Sequence, residues 1–282
     1  MTAFTEDYQH HTSAVSPYEA PDAVEFIDVY KSFGPHAHIL QGMNLGLPEG
    51  MISMILGPSG TGKSVCLKHM VGLLFPDSGD VRVHGESVPE MPDDRLSEMR
   101  KKFGVLFQDG ALFGSMNVFD NVAFPLRQHT DKSDEEIEEI AWRNLKQVGL
   151  GDAGYRFPNE LSGGMRKRAG FARALVLDPD IVLFDEPDSG LDPVRTSLLG
   201  ELVMEIHETM MAQAAEQGRE HQPCFTLITH NIMLARNVAD YISVVWKGRV
   251  VEAGPITEMI ASENPFIRQF LAGRSEGPLT MD

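Results

Sequence analysis

An α/β fold, with helices packed on a buried sheet, is predicted by three observations. The octapeptide Gly57-Pro-Ser-Gly-Thr-Gly-Lys-Ser64 fits the phosphate-loop pattern G-x-x-x-x-G-K-[ST]. A short apolar run (51–56) precedes it, and a stretch with helical apolar spacing (65–74) follows. Three further apolar runs, 103–108, 181–184 and 224–229, read as buried strands that lead into Gln108, Asp185-Glu186 and His230. In an α/β sheet the C-terminal strand ends border the ligand crevice.

The glycine loop comes first. Gly57, Gly60 and Gly62 lack a Cβ, so the backbone can take positive φ and press its N–H groups against phosphate oxygens. Pro58, Ser59 and Thr61 complete the cradle. Lys63 is the candidate for the β- and γ-phosphates, and the Ser64 hydroxyl for Mg²⁺. Strand, loop and helix in that order put the anion at a helix N-terminus, where the dipole and unpaired N–H groups favour it.

Bulk properties limit the alternatives. The chain has 282 residues, 42% of them hydrophobic, enough for one large domain or two small ones. A net charge of −17 argues against general nucleic-acid binding. No apolar run approaches the ~18 residues of a membrane helix. The N-terminus reads as no signal peptide, so a membrane role is expected to come through a partner. Two cysteines suit a reducing compartment, and Cys66 reads as packing because no base is spaced to serve it.

In chain order, residues 1–21 are polar and aperiodic and read as a disordered acidic tail. Val24–Tyr30 alternates as a strand, 31–34 turns, and Ile39–Leu47 is a second strand. Phe33, or Tyr30, is placed to stack on a nucleobase or to cap the core. A turn at 76–79 precedes a strand at 80–84, and 96–102 reads as a short basic helix. Gln108 is expected at the end of its strand. The stretch 109–128 is too irregular for one element, and its Phe113, Met116, Phe119 and Phe124 suit either core or a partner-facing patch. Ser133 with Glu136 forms a capping box for a helix whose stripe is Ile137, Ile140, Ala141, Leu145 and Val148, ended by Gly149.

Leu161-Ser-Gly-Gly-Met165 precedes another helix, with Ser162 as cap. Arg166, Lys167, Arg168 and Arg173 make it locally basic, so it is either a second anion-holding helix end or a plain cap with a basic surface. Adjacent acids at a core strand end are costly unless they face a site. Asp185 is therefore the candidate to hold Mg²⁺, and Glu186 to accept a proton from an attacking water. Ser189–Asp192 turns into a helix over about 194–213. His230, at its own strand end, is the candidate for a γ-phosphate contact. Strands at 241–246 and 249–252 and short helices at 256–262 and 264–272 finish the chain.

Together and in this order, the phosphate loop, Gln108, LSGGM, IVLFDEP, SGLD and ITH resemble the ATP-binding subunits of ABC transporters over residues 22–252. The resemblance implies a P-loop NTPase with a RecA-like core, an antiparallel β subdomain and a helical subdomain at about 109–165, in an ATP-binding domain over 22–253 with a C-terminal extension, 254–282. It implies ATP hydrolysis with Mg²⁺, catalysed through Glu186, His230 and Lys63. By the same resemblance Phe33 stacks adenine, and Gln108 lies near Mg²⁺ and the membrane partner. Leu161, Ser162, Gly163, Gly164 and Met165 contact the ATP of a second copy, and Asp192 lies at the seam between copies. Asn231 stands where many relatives have Asp.

More finely, FQDGALFGSMNVFDNVAFPLR, LSGGMRKRAGFARALVLDP, DEPDSGLDPVR and the tail NPFIRQFLAGRSEGP are similar to the ATPases of Mce-type lipid transport systems. That similarity implies a homodimer on the cytoplasmic face of the membrane, beneath two YrbE-type permease subunits, with Mce proteins outside carrying lipid, sterol or fatty acid. The alternative is an importer of amino acids or another small solute.

Overall fold

The computed structural model describes residues 21–278. They fall into two units: residues up to Glu90 with His230 onward, and Met91–Thr229. Apart from Pro21, the expected acidic tail lies outside the described residues.

The first unit opens with β1 (Asp22–Ser32) and β2 (His38–Pro48), then β3 (Ile52–Leu56), α1 (Lys63–Met70), β4 (Ser78–Val83) and β5 (Glu86–Ser87). Four of these make an antiparallel sheet in the order β2-β1-β4-β5. Ala23, Val24, Phe26 and Val29 of β1 are buried, and a register shift between Phe26 and Val29 interrupts the alternation. Helix α1 begins two residues before the expected 65, because left-handed Gly62 (φ 100°) caps it. It stops at Met70 rather than 74, where Val71 closes the last turn and Gly72 takes positive φ.

Asp22 at the head of β1 gives a pH prediction. Burial, aided by the nearby Glu25 carboxylate, pushes its carboxyl up from 3.8 to about 7. The folded state then holds the proton more tightly than the unfolded one. The contribution is fully present below 3.8 and lost as pH rises through about 7. Asp22→Asn should remove this loss. Its melting temperature should exceed the parent's at about pH 8, and the difference should shrink steadily towards about pH 4. Equal pH slopes for parent and variant would contradict the assignment.

The second unit contains α2 (Asp93–Lys101), β6 (Phe103–Leu106), α3 (Val118–His129), α4 (Asp134–Gln147), a 3₁₀ turn (Pro158–Glu160), α5 (Gly163–Leu175), β7 (Ile181–Asp185), α6 (Pro193–Gln217) and β8 (Cys224–Thr229). Strands β6, β7 and β8 pair in parallel, with Phe103 opposite Ile181 and Ile181 opposite Cys224. Phe171 of α5 sits edge-on to Phe184 of β7 (5.0 Å between centroids), and Phe184 lies 5.7 Å from Phe225 of β8. All three rings are fully buried, so α5 is pinned to the sheet by aromatic packing.

Several expectations are corrected here. Strand β6 ends at Leu106, so Gln108 lies in the following turn rather than at a strand end. The segment 109–128, expected to be irregular, contains most of α3. Asn117 caps it, accepting from the Asp120 N–H (2.7 Å), and Pro125 sits inside it. Fully buried Asn121 staples the preceding loop: it accepts from the Phe113 N–H (2.7 Å) and donates to the carbonyls of Phe113, Met116 and Asn117. Phe113 is exposed; Met116, Phe119 and Phe124 are half-buried, so none of the four is core. Helix α2 starts at Asp93, and α6 runs on to Gln217, ending at left-handed Gly218. The Ser133–Glu136 capping box forms as expected.

The first unit resumes with α7 (Ile232–Val238), β9 (Tyr241–Trp246), β10 (Arg249–Pro255), α8 (Ile256–Ala261) and α9 (Pro265–Ala272). Strand β3 pairs in parallel with β9, and β9 pairs antiparallel with β10. Helix α9 buries Phe266, Ile267 and Leu271; the Phe266 ring lies 5.7 Å from Trp246. Arg236 of α7 donates to the Leu271 carbonyl (2.9 Å). No described helix is long and apolar enough to cross a membrane.

Candidate functional site

In the first unit the phosphate loop follows β3 directly and runs into α1. Close packing explains its first glycine: a side chain at Gly57 would drive its Cβ into the Val245 carbonyl of β9. Gly62 needs its left-handed φ to start the helix, and a Cβ there would press on Leu40 and Ile39. Gly60 has φ 81° with open space around it, so its backbone can face a ligand. Lys63 is buried, and its ammonium donates to the carbonyls of Gly57 (2.7 Å) and Pro58 (2.8 Å). The Thr61 hydroxyl donates to the Pro58 carbonyl (2.9 Å), which braces the loop from within. Ser59, Gly60 and Ser64 are exposed. Cys66 on α1 is fully buried, and burial pushes its thiol up to about 12, so it serves packing and not nucleophilic chemistry.

Phe33, the adenine candidate, is also in this unit. It is 52% exposed, with the Lys31 ammonium 5.8 Å from its ring centroid, and so is not a core cap. Tyr30 is 41% exposed. His230 is exposed at the start of the segment leading into α7, and Asn231 caps that helix, accepting from the Leu234 N–H (3.1 Å).

In the second unit β7 delivers Asp185 and Glu186, both half-buried. Glu186 adopts φ 47°, a left-handed conformation unusual for a non-glycine residue, and its N–H donates to the Ile228 carbonyl of β8 (2.9 Å). That strain costs of order 1 kcal/mol and is typical of functional positions. Gln108 donates from Nε2 to Ser189 Oγ (3.0 Å). Ser162 caps α5, accepting from the Met165 N–H (3.3 Å), and Ser162 and Gly163 are exposed. A cavity of about 630 Å³ lined by Ser162, Gly164, Lys167, Leu191, Arg195 and Leu198 opens beside this turn. Asp192 caps α6, accepting from the Arg195 N–H (3.0 Å) and pairing with the Arg195 guanidinium (3.1 Å).

Of the four cations expected to make α5 locally basic, Arg166, Arg168 and Arg173 are half-buried, and each is tied to a backbone carbonyl. Arg166 donates to the Leu161 carbonyl (2.7 Å), Arg168 to that of Val148 (3.1 Å) and Arg173 to that of Ala111 (2.8 Å). Lys167 is buried and donates to the carbonyls of Pro187 (2.8 Å) and Ser189. These cations hold backbone in place.

Sequence reasoning missed a hydrogen-bonded group beside the acids: buried Lys167, Asp188 and Thr229 with half-buried Ser189. Thr229 Oγ1 donates to Asp188 Oδ1 (2.8 Å), and both residues are buried. One signal was readable. Lys167 shares a helical stripe with the apolar Phe171 and Ala174, the spacing of a buried face.

The ABC transporter family profile matches residues 40–189. The chain is 49% identical over 259 residues to the probable ribonucleotide transport ATP-binding protein mkl of Mycobacterium leprae, covering 92% of this chain and 71% of that one. It is 37% identical over 241 residues, 86% of each chain, to the intermembrane phospholipid transport system ATP-binding protein MlaF of Escherichia coli K12. Among solved structures, a dimeric ATP-binding cassette in a post-hydrolysis state bound to ADP and Pi aligns with TM-score 0.72 at 30% identity, over 83% of this chain and 98% of that one. The glycine cradle, the strand-end acids and the capped LSGGM turn thus stand in a chain that belongs to the ABC transporter family, as an ATP-binding subunit that hydrolyses ATP.

Proposed function

We propose that two copies of this chain sandwich two ATP molecules at the cytoplasmic face of the membrane and drive lipid movement through YrbE-type permease subunits, with Mce proteins carrying lipid outside. The observation that carries the dimer is the exposed turn at Ser162–Gly163, a second helix end open to an anion in a chain that already carries the phosphate loop. Each such end covers part of a triphosphate, so their separation in sequence is useful when one nucleotide is shared between copies. The phosphate loop of one copy and Leu161–Met165 of the other would hold each ATP, with Asp192 at the seam and Phe33 against adenine.

In this reading Glu186 accepts the proton of the attacking water, Lys63 offsets charge developing on the β- and γ-phosphates, and His230 holds the γ-phosphate. Magnesium fits the donor set: the Ser64 hydroxyl, the Asp185 carboxylate and the Gln108 amide are hard oxygen ligands, and Gln108 Nε2 is committed to Ser189, which leaves its oxygen as the ligand end. When bound, Mg²⁺ supplies positive charge beside the phosphates.

The lipid cargo is supported by the likeness to MlaF over most of both chains. The permease contact is supported by exposed aromatic side chains of the second unit, Phe107, Phe113, Tyr155 and Phe157, 39% to 74% exposed. The ribonucleotide-transport name of the 49%-identical relative favours a second reading, import of a small solute. Purification of the tagged chain from its own membranes in mild detergent decides between them. YrbE-type permease and Mce chains are expected to co-purify in fixed ratio; a solute-importer permease in their place would overturn the lipid reading.

A further inference from the structure

We propose that Lys167 is a positioning residue for ATP hydrolysis: its ammonium fastens the LSGGM turn at the head of α5 to the 187–189 loop that follows Glu186. The supporting geometry lies wholly within the 91–229 unit. Lys167 is only 5% exposed. Its Nζ donates to the carbonyls of Pro187 (2.8 Å) and Ser189, which flank Asp188. Asp188 accepts from Thr229 Oγ1 (2.8 Å), at the end of β8 and directly before His230 in the chain. Ser189 Oγ accepts from Gln108 (3.0 Å), and the Ser189 N–H donates to the Glu186 carbonyl (3.1 Å). The buried cation thus ties the head of α5 to the loop after β7, and that loop, through Asp188 and Ser189, holds the end of β8 and the turn after β6.

A lysine in this place is expensive. Burial pulls its pKa down, opposed by the carboxylates of Asp188, Asp109 and Glu186. A residue serving only to fill the stripe would be apolar, like its neighbours Phe171 and Ala174. What the ammonium adds is a fixed distance between the turn that meets one triphosphate and the loop that fixes the Glu186 backbone in its left-handed conformation. Errors of about 1 Å in such placement cost orders of magnitude in rate.

The test compares the full-length parent with Lys167→Met and Lys167→Gln, by steady-state phosphate release and by equilibrium binding of a fluorescent ATP analogue. The proposal rests on the ATPase reading of the site, which the parent's own turnover checks separately. In Lys167→Met, kcat should fall at least about ten-fold while nucleotide affinity stays within about two-fold, because the phosphate loop is untouched. Lys167→Gln keeps an N–H donor on a shorter stem and should fall between. Parental kcat in a folded methionine variant overturns the proposal, as does a loss confined to nucleotide affinity. Should that variant not fold, the glutamine variant decides by the same criterion. If neither folds, Lys167 serves the fold alone and the proposal is overturned.

Discussion

Glu186→Gln is expected to bind ATP with near-parental affinity and to turn it over at least about a hundredfold more slowly. Glutamine keeps the size of the side chain and its hydrogen-bonding reach, so the backbone at this strained position should hold its conformation. What it loses is the ability to take a proton from water. The parent carboxylate is half-buried at the end of β7, where a water can be oriented without full exposure to solvent. Phosphate release in a single turnover separates this step from binding. A variant that released phosphate at the parental rate would remove Glu186 from the role of base.

Lys63→Ala is expected to lower affinity for ATP by about a hundredfold or more, close to 2.7 kcal/mol. The lysine is the cation built into the loop, and two loop carbonyls at 2.7 and 2.8 Å fix its aim. Alanine removes the charge and leaves those carbonyls without this donor, so the loop loses both its attraction for phosphate and part of its internal bracing. Equilibrium binding of a fluorescent analogue checks the first effect, and thermal unfolding without nucleotide checks the second. Unchanged affinity in a folded variant would place the triphosphate somewhere other than this loop.

Strand-rich parts of the chain were readable because their signals are local. The strands β3, β7 and β8 are short apolar runs bounded by glycines, acids or a histidine, and the capping box of α4 is a four-residue pattern. The phosphate loop was recognisable from spacing alone. The helix α3 was not, because glycines, aromatics and Pro125 hide its periodicity, and because buried Asn121, bonded to the loop before it, does what periodicity normally signals. Its cap, Asn117 with Asp120 three residues later, was there to be read. Gln108 was placed one structural step too early, since β6 stops two residues before it. The side chains of α5 were the least legible. Charge counting finds four cations in eight residues, but not that each is tied to a backbone carbonyl or that Lys167 is buried, because those partners are set by tertiary packing.

Sedimentation of Glu186→Gln, with and without ATP and Mg²⁺, tests most directly whether a nucleotide is shared between two copies. A doubling of mass on adding ATP is the predicted result. A single chain that stays single while saturated with ATP would contradict it.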